Sequence, residues 1–316
     1  MKLSTRILLP VAFAVTATGA FAEGPIFVEP PFQSTLSRAE VQAQAVQARD
    51  SGLFAIGEGV VVADNSAPSN LSRAQVRAET GAGGSFCAGM DLSVPGNVFG
   101  LDESVQPSMD DMHHHLTEAP YQRGVRDTGG RVALSIFDCK KPVIGAINGP
   151  AVGIGATMTL AMDIRIASEK ARIGFVFGKI AVAPEACSTW FLPRIVGIQQ
   201  ALEWVYSADI INAEEALRGH LVKAVVPPEK LLDEAYALAR KFVTNRSPVS
   251  TALIRQMMYR NSAQPHPREA HKVESLAMFY TSIGDGKEGV KSFLEKRDPQ
   301  YSGKASNMPT FYPWWE

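Results

Sequence analysis

"KKPVIGAINGPAVGIGATMTLAMDIRIAS", Lys140 to Ser168, decides the architecture. From Pro142 to Met162 it carries no charge for 21 residues, long enough to tempt a membrane-spanning assignment. Asn148-Gly149-Pro150 breaks such a helix in its middle, because Pro lacks the N–H that a helix interior needs. The run therefore reads as strand, turn and helix. "PVIGAIN" (142–148) is apolar and β-branched like a buried strand, and "GIGATMTLAMD" (153–163) has the small apolar residues of a buried helix.

The same texture extends on both sides. "IRIAS" (164–168) and "ARIGFVF" (171–177) alternate like strands. "INAEEALRGHLV" (211–222) opens a helix with Asn212 as cap and Glu215 three residues on, a capping-box spacing. "PPEKLLDEAYALARKFVTN" (227–245) places Leu231, Leu232, Ala235, Leu238, Ala239 and Phe242 on one helical face. "STALIRQMMYR" (250–260) and "REAHKVESLAMFYTSI" (268–283) also read as amphipathic helices. The fold class is α/β from Gly81 onward.

Bulk composition narrows the function classes. With 31 basic against 32 acidic residues, the chain has no nucleic-acid footprint, and any anionic ligand must be met by a local patch. Three widely spaced cysteines (Cys87, Cys139, Cys187) are not a disulfide framework and suit a reducing compartment. The N-terminus points elsewhere. "MKLSTRILLPVAFAVTATGAFA" (1–22) has basic Lys2 and Arg6, an apolar run and Ala20-Phe21-Ala22 as a cleavage site, the three parts of a secretory signal peptide. Leader and body thus imply periplasm and cytoplasm respectively. Between them, 23–80 reads as a weakly ordered arm in which "LSRAEVQAQ" (36–44) returns as "LSRAQVRAE" (71–79), with Ser37 and Ser72 as helix caps. The arm resembles repeat units of small exported bacterial proteins.

Two glycine corners carry the chemistry, "SFCAGMDL" (85–92) and "NGPAVGIG" (148–155). Neither contains a nucleophile, a metal set or a phosphate loop. They fit tight turns in a packed domain. They also fit an oxyanion hole, though spacing alone favours the turns: unpaired N–H groups project where a strand turns into a helix, and two facing corners aim two donors at one oxygen. His113-His114-His115 does not form a metal site, since consecutive helical residues diverge by about 100°. Cys187 reads as a packed small residue.

"SFCAGMDL", "KKPVIGAINGPAVGIGATMTLAMDIRIAS", "PEACSTWFLPRIVG", "NAEEALRGHLVKAVVPPEKL" and "GVKSFLEKRDP" occur in an order and spacing that resembles the crotonase superfamily, the enoyl-CoA hydratases and isomerases. The resemblance covers about Gly81 to the C-terminus. It implies a ββα spiral core (81–250), a C-terminal helical trimerisation region (251–316) and a homotrimer or hexamer. It implies an acyl-CoA thioester as substrate, with coenzyme A part of that substrate and no separate cofactor. Met90 N–H and Ile154 N–H form the oxyanion hole in this reading, with Gly89, Gly153, Gly155 and Asp91 in support. Asp163 has a structural role.

The two glutamates of the family's hydratases correspond to Thr157 and Phe177, neither of which is a base near neutral pH. Isomerase-like members instead carry one glutamate in a Pro-Glu-Ala context, which is Glu185 here. A lone carboxylate suits a 1,3-proton shift, its pKa raised by an apolar wall containing Phe177 and Trp190. On residue pattern alone, Pro184-Glu185 equally fits an ordinary helix start. Lys291, Lys296 and Arg297 are the family's C-terminal candidates for the CoA phosphates.

A double-bond isomerase is thus expected, with a hydratase as the alternative and a non-catalytic exported fusion as the alternative from another class. Residues 23–80 lack the family's opening strands, so the first part of the core is replaced and the sheet edge is exposed, unless "GVVVA" (59–63) supplies a substitute strand.

Overall fold

The computed structural model describes residues 60–62, 84–92 and 96–315. The leader at 1–22 and both "LSRA" segments lie outside the described residues.

The strands form two sheets, and from Val143 to Gly174 consecutive strands alternate between them. β1 (Val60–Val62), β2 (Val143–Ile147), β4 (Ile164–Ser168) and β7 (Ala224–Val226) form one sheet in the order β1-β2-β4-β7. β3 (Pro150–Val152), β5 (Arg172–Gly174) and β6 (Ile210–Asn212) form the other. The chain runs from β2 in the first sheet to β3 in the second, through a helical segment, then from β4 back to β5. That is the expected ββα spiral. β2 and β4 are parallel, with Gly145 opposite Arg165, and β3 and β5 are parallel, with Ala151 opposite Ile173. β1 runs antiparallel to β2, with Val61 opposite Ile144. The substitute strand expected at 59–63 is therefore present, and it covers the edge of β2.

Every residue of β2 is buried, and alternate side chains enter different cores. Val143 and Ile147 join the main core with Phe175, Phe191 and Trp204. Ile144 and Ala146 join a smaller one against Leu231, Ala235 and Ala239. The 21-residue uncharged run is buried because it is covered on both faces. Among the described residues, no helix is long and apolar enough to cross a membrane.

Eleven helices occur among the described residues: α1 (Met109–His114), α2 (Ala119–Gly124), α3 (Thr128–Phe137), α4 (Ile154–Thr157), α5 (Ser188–Val196), α6 (Ile198–Ser207), α7 (Ala213–Arg218), α8 (Leu231–Val243), α9 (Pro248–Asn261), α10 (Pro267–Ile283) and α11 (Asp285–Glu295). α9 is tied to the core by buried Arg255. Its guanidinium donates to Asp163 Oδ2 at 2.9 Å and to the carbonyls of Ile136, Phe137 and Cys139. Asp163 also accepts from Val143 N at 2.7 Å and from the Tyr259 hydroxyl at 2.9 Å, the structural role expected of it.

Local departures from the sequence reading have physical causes. The helix expected over 153–163 is the single turn α4 followed by a 3-10 segment, Met158–Ala161. A threonine hydroxyl competes for the backbone there, Thr159 Oγ1 donating to Ala156 O at 2.7 Å. The strand expected over 171–177 ends at Gly174, and a 3-10 turn over Val176–Ile180 follows. Phe175 stacks on Trp204 at 6.4 Å, so tertiary packing overrides the alternation. Asn212 does cap α7 by accepting from Glu215 N at 2.8 Å. The Glu215 carboxylate instead accepts from Trp204 Nε1 at 2.9 Å, leaving half a capping box.

Candidate functional site

The two glycine corners meet. Phe86 N and Cys87 N donate to Pro150 O at 2.9 and 3.0 Å, and Val152 N returns a bond to Cys87 O at 3.0 Å. The first corner therefore lies along β3 and runs beside the second. Gly89 turns with φ +96°, and a Cβ there would stand 2.8 Å from Val152 O. Gly153 turns with φ 57° and ψ −122° and starts α4. A Cβ on Gly155 would overlap Cys87 O. Each corner thus presses glycine against the other's backbone, an approach closed to any larger residue. Met90 and Ile154 each follow a positive-φ glycine at this junction, and neither N–H donates to a backbone carbonyl of another described residue. The Met90 side chain is 46% exposed, and Asp91 is exposed beside it.

Glu185 comes to the same place from a different element. A helix start at Pro184-Glu185, the alternative reading of that pattern, is not formed there. α5 begins three residues later, and Ala186 and Cys187 both adopt left-handed backbone, with φ of 57° and 55°. This kink holds Glu185 in a loop, outside the helix. Its Oε1 accepts from Thr157 Oγ1 at 2.6 Å. A Cβ on Gly129 would overlap both Glu185 Oε2 and Ile154 Cδ1, so the carboxylate and the Ile154 side chain share the space that glycine leaves open. Glu185 therefore sits over α4, the element that carries Ile154.

Burial first, then the neighbouring Asp127 carboxylate, push the Glu185 pKa up to about 7, while the Thr157 bond works in the opposite direction. Phe177 is buried in the main core, and Trp190 packs edge-on against Phe137 at 5.7 Å. The polar groups that act on the carboxylate are Thr157 and Asp127. Burial also raises the Cys187 thiol pKa, in keeping with a packed side chain.

Asp127 is the site residue that sequence reasoning missed. It caps α3, and its Oδ2 accepts from both Gly130 N and Ala186 N, the latter at 3.0 Å. A trace was present in "DTGG" (127–130): Asp caps a helix well, yet each Gly in a first turn costs about 1 kcal/mol against Ala. The Gly129 position is explained by the approach of Glu185.

The remaining candidates lie on other elements. Lys291, Lys296 and Arg297 belong to α11 and its end, which packs on α10. Arg297 is engaged internally with Glu288 at 2.6 and 2.9 Å and with Glu295 at 2.6 Å. The three histidines diverge, His114 Nδ1 meeting Asp110 O and His115 Nδ1 meeting Glu118.

The chain is similar to known proteins in sequence and in fold. The model of the enoyl-CoA hydratase/isomerase family matches residues 75–304. A domain of unknown function (DUF4148) matches residues 1–61. The chain is similar to the enoyl-CoA hydratase ACTT3 of Alternaria alternata, 39% identical over 225 residues, covering 70% of this chain and 69% of the relative. It is also similar to 1,2-epoxyphenylacetyl-CoA isomerase of Escherichia coli, 34% identical over 71% of this chain and 80% of the relative. The crystal structure of enoyl-CoA hydratase from Bacillus anthracis superposes with a TM-score of 0.56 at 30% identity, covering 70% of this chain and 79% of that one. The α/β fold built around the two corners is crotonase-like, and the chain belongs to the enoyl-CoA hydratase/isomerase family of enzymes.

Proposed function

We propose that the protein shifts a carbon–carbon double bond in an acyl-CoA thioester, using Glu185 as the one proton carrier. The observation that supports this reading is the Thr157–Glu185 pair. Where the family's hydratases have a glutamate, this chain has a buried threonine whose hydroxyl donates to the Glu185 carboxylate. In the reaction, ionised Glu185 removes a proton from Cα of a 3-enoyl thioester, and the electron pair moves onto the thioester oxygen. Met90 N–H and Ile154 N–H stabilise that oxyanion, each such donor being worth about 3–4 kcal/mol in a water-poor site. The dienolate collapses, its Cγ takes the proton back from Glu185, and a 2-enoyl thioester leaves. No atom is gained or lost. A carboxylate with a pKa near 7 suits both halves, accepting and returning the proton near neutral pH.

Hydration is the second reading. It needs a second acid–base group, and the carboxylate beside Glu185, Asp127, is the observation that favours it. Assaying 3-enoyl-CoA and 2-enoyl-CoA with the full chain and its Glu185→Gln variant separates these accounts. Isomerisation abolished by the substitution supports the first, and 3-hydroxyacyl product supports the second. Isomerisation that survives it overturns the role of Glu185. A soluble chain inactive on both substrates points to the non-catalytic fusion.

The reading extends to assembly, compartment and domain organisation. Exposed apolar residues on α10 and α11, with Met278 70% and Phe293 81% exposed, support a homotrimer or hexamer. Lys291 and Lys296 are exposed cations available for CoA phosphates. The domain reading is a leader (1–22), an arm (23–80), a catalytic core (81–250) and a helical region (251–316). A mature chain whose intact mass begins at Glu23 would support export, against the cytosolic pool of CoA esters.

A further inference from the structure

We infer that Asp127 is a positioning residue that holds the Glu185 loop and favours the protonated form of Glu185, a role that rests on the proton-carrier reading of Glu185. The argument starts from geometry. Asp127 Oδ2 accepts from Gly130 N, which fixes it at the head of α3, and from Ala186 N, which reaches across to the Glu185 loop. One oxygen thus joins two elements far apart in sequence. The Ala186 bond falls where the backbone is least comfortable, since Ala186 and Cys187 both hold left-handed φ without being glycine. Such conformations persist only where the surroundings enforce them. The enforced kink points Glu185 back toward α3, onto the open face of Gly129. A residue that served only as a helix cap would have no bond to Ala186 N.

The consequence is electrostatic as well as steric. The Asp127 carboxylate disfavours a second negative charge on Glu185 and so raises its pKa, after burial. Thr157 donates to Oε1 of Glu185 and favours its charged form, while Asp127 favours the protonated one. The other titratable groups at this corner are Cys187 on the same loop and Arg126 beside Asp127, both of which act within the cluster. Asp127 therefore adds to burial in raising the Glu185 pKa, acting through Glu185.

The test follows the carboxyl stretch of Glu185 by infrared titration of the full chain, with the band identified by its loss in Glu185→Gln. Asp127→Asn keeps an acceptor for the cap and removes the charge, and the Glu185 midpoint is expected to fall by about one pH unit. The acid limb of kcat/KM should move by the same amount. A midpoint that stays in place while thermal stability drops would reduce Asp127 to a helix cap and overturn the inference. Should Asp127→Asn fail to fold, Asp127→Ser supplies a neutral cap for the same comparison. The infrared readout needs no turnover, so an inactive enzyme would count against the proposed reaction and leave the role of Asp127 separately decided.

Discussion

Glu185 carries a cost that its removal should reveal. Its native pKa of about 7 lies above the ordinary 4.5, so the folded state prefers the protonated form. The stability linked to that proton is complete below pH 4.5 and is lost as pH rises through 7. Glu185→Gln keeps the acceptor for Thr157 and stays neutral. Urea denaturation should show the variant gaining on the parent between pH 5 and pH 8, by about 1–2 kcal/mol once partial exposure is discounted. The same variant should lose about 10²–10⁴-fold in kcat. Thr157→Val acts in the opposite sense on the carboxyl. It removes the donor that stabilises the charged form, so the Glu185 pKa rises and the acid limb of the pH–rate profile moves to higher pH. The expected move is about half to one unit, with activity recovered at alkaline pH. A profile that does not move would remove Thr157 from the proton-carrying unit.

At the scale of elements, the decisive contact is the close approach of the two corners. Gly155→Ala would drive a methyl group into Cys87 O, and neither side has a flexible side chain to yield. Overpacking of this kind costs about 1–3 kcal/mol, measurable by denaturant unfolding. Because the displaced backbone is that of Ile154, kcat should fall by about 10²–10³ as well, the cost of a lost oxyanion donor. The corners were legible in the sequence because glycine at a turn has few substitutes, and the strands around them because β2 is a short apolar run and β4 alternates. The capping of α7 by Asn212 was legible for the same local reason. Less legible was whatever depended on two distant segments meeting. The kink at Ala186-Cys187 is hydrogen-bonded to Asp127, 59 residues upstream, so the local pattern Pro184-Glu185 read equally well as a helix start. The end of β5 at Gly174 depends on Trp204, which no window of the alternating run contains.

The whole molecule joins matches to two families, at residues 1–61 and 75–304, and β1 lies where the first of them ends. Val60–Val62 nevertheless pairs with β2, the strand that leads directly into the second glycine corner. Without β1, the outer edge of β2 would present unpaired N–H and C=O groups, inviting pairing with other chains. On its other side β2 is already bonded to β4, which in turn holds β7. The edge strand is thus the one part of this sheet supplied from outside the family segment. Replacing Val60–Val62 with Gly-Ser-Gly keeps chain length but removes strand propensity. Each lost hydrogen bond contributes about 0.5–1.5 kcal/mol net, so unfolding should begin a few kcal/mol earlier and the variant should aggregate on concentration. Light scattering and denaturant midpoints read both effects. Unchanged stability and unchanged scattering would mean that the sheet is complete at β2, and that the pairing with Val60–Val62 decorates a core already able to stand without it.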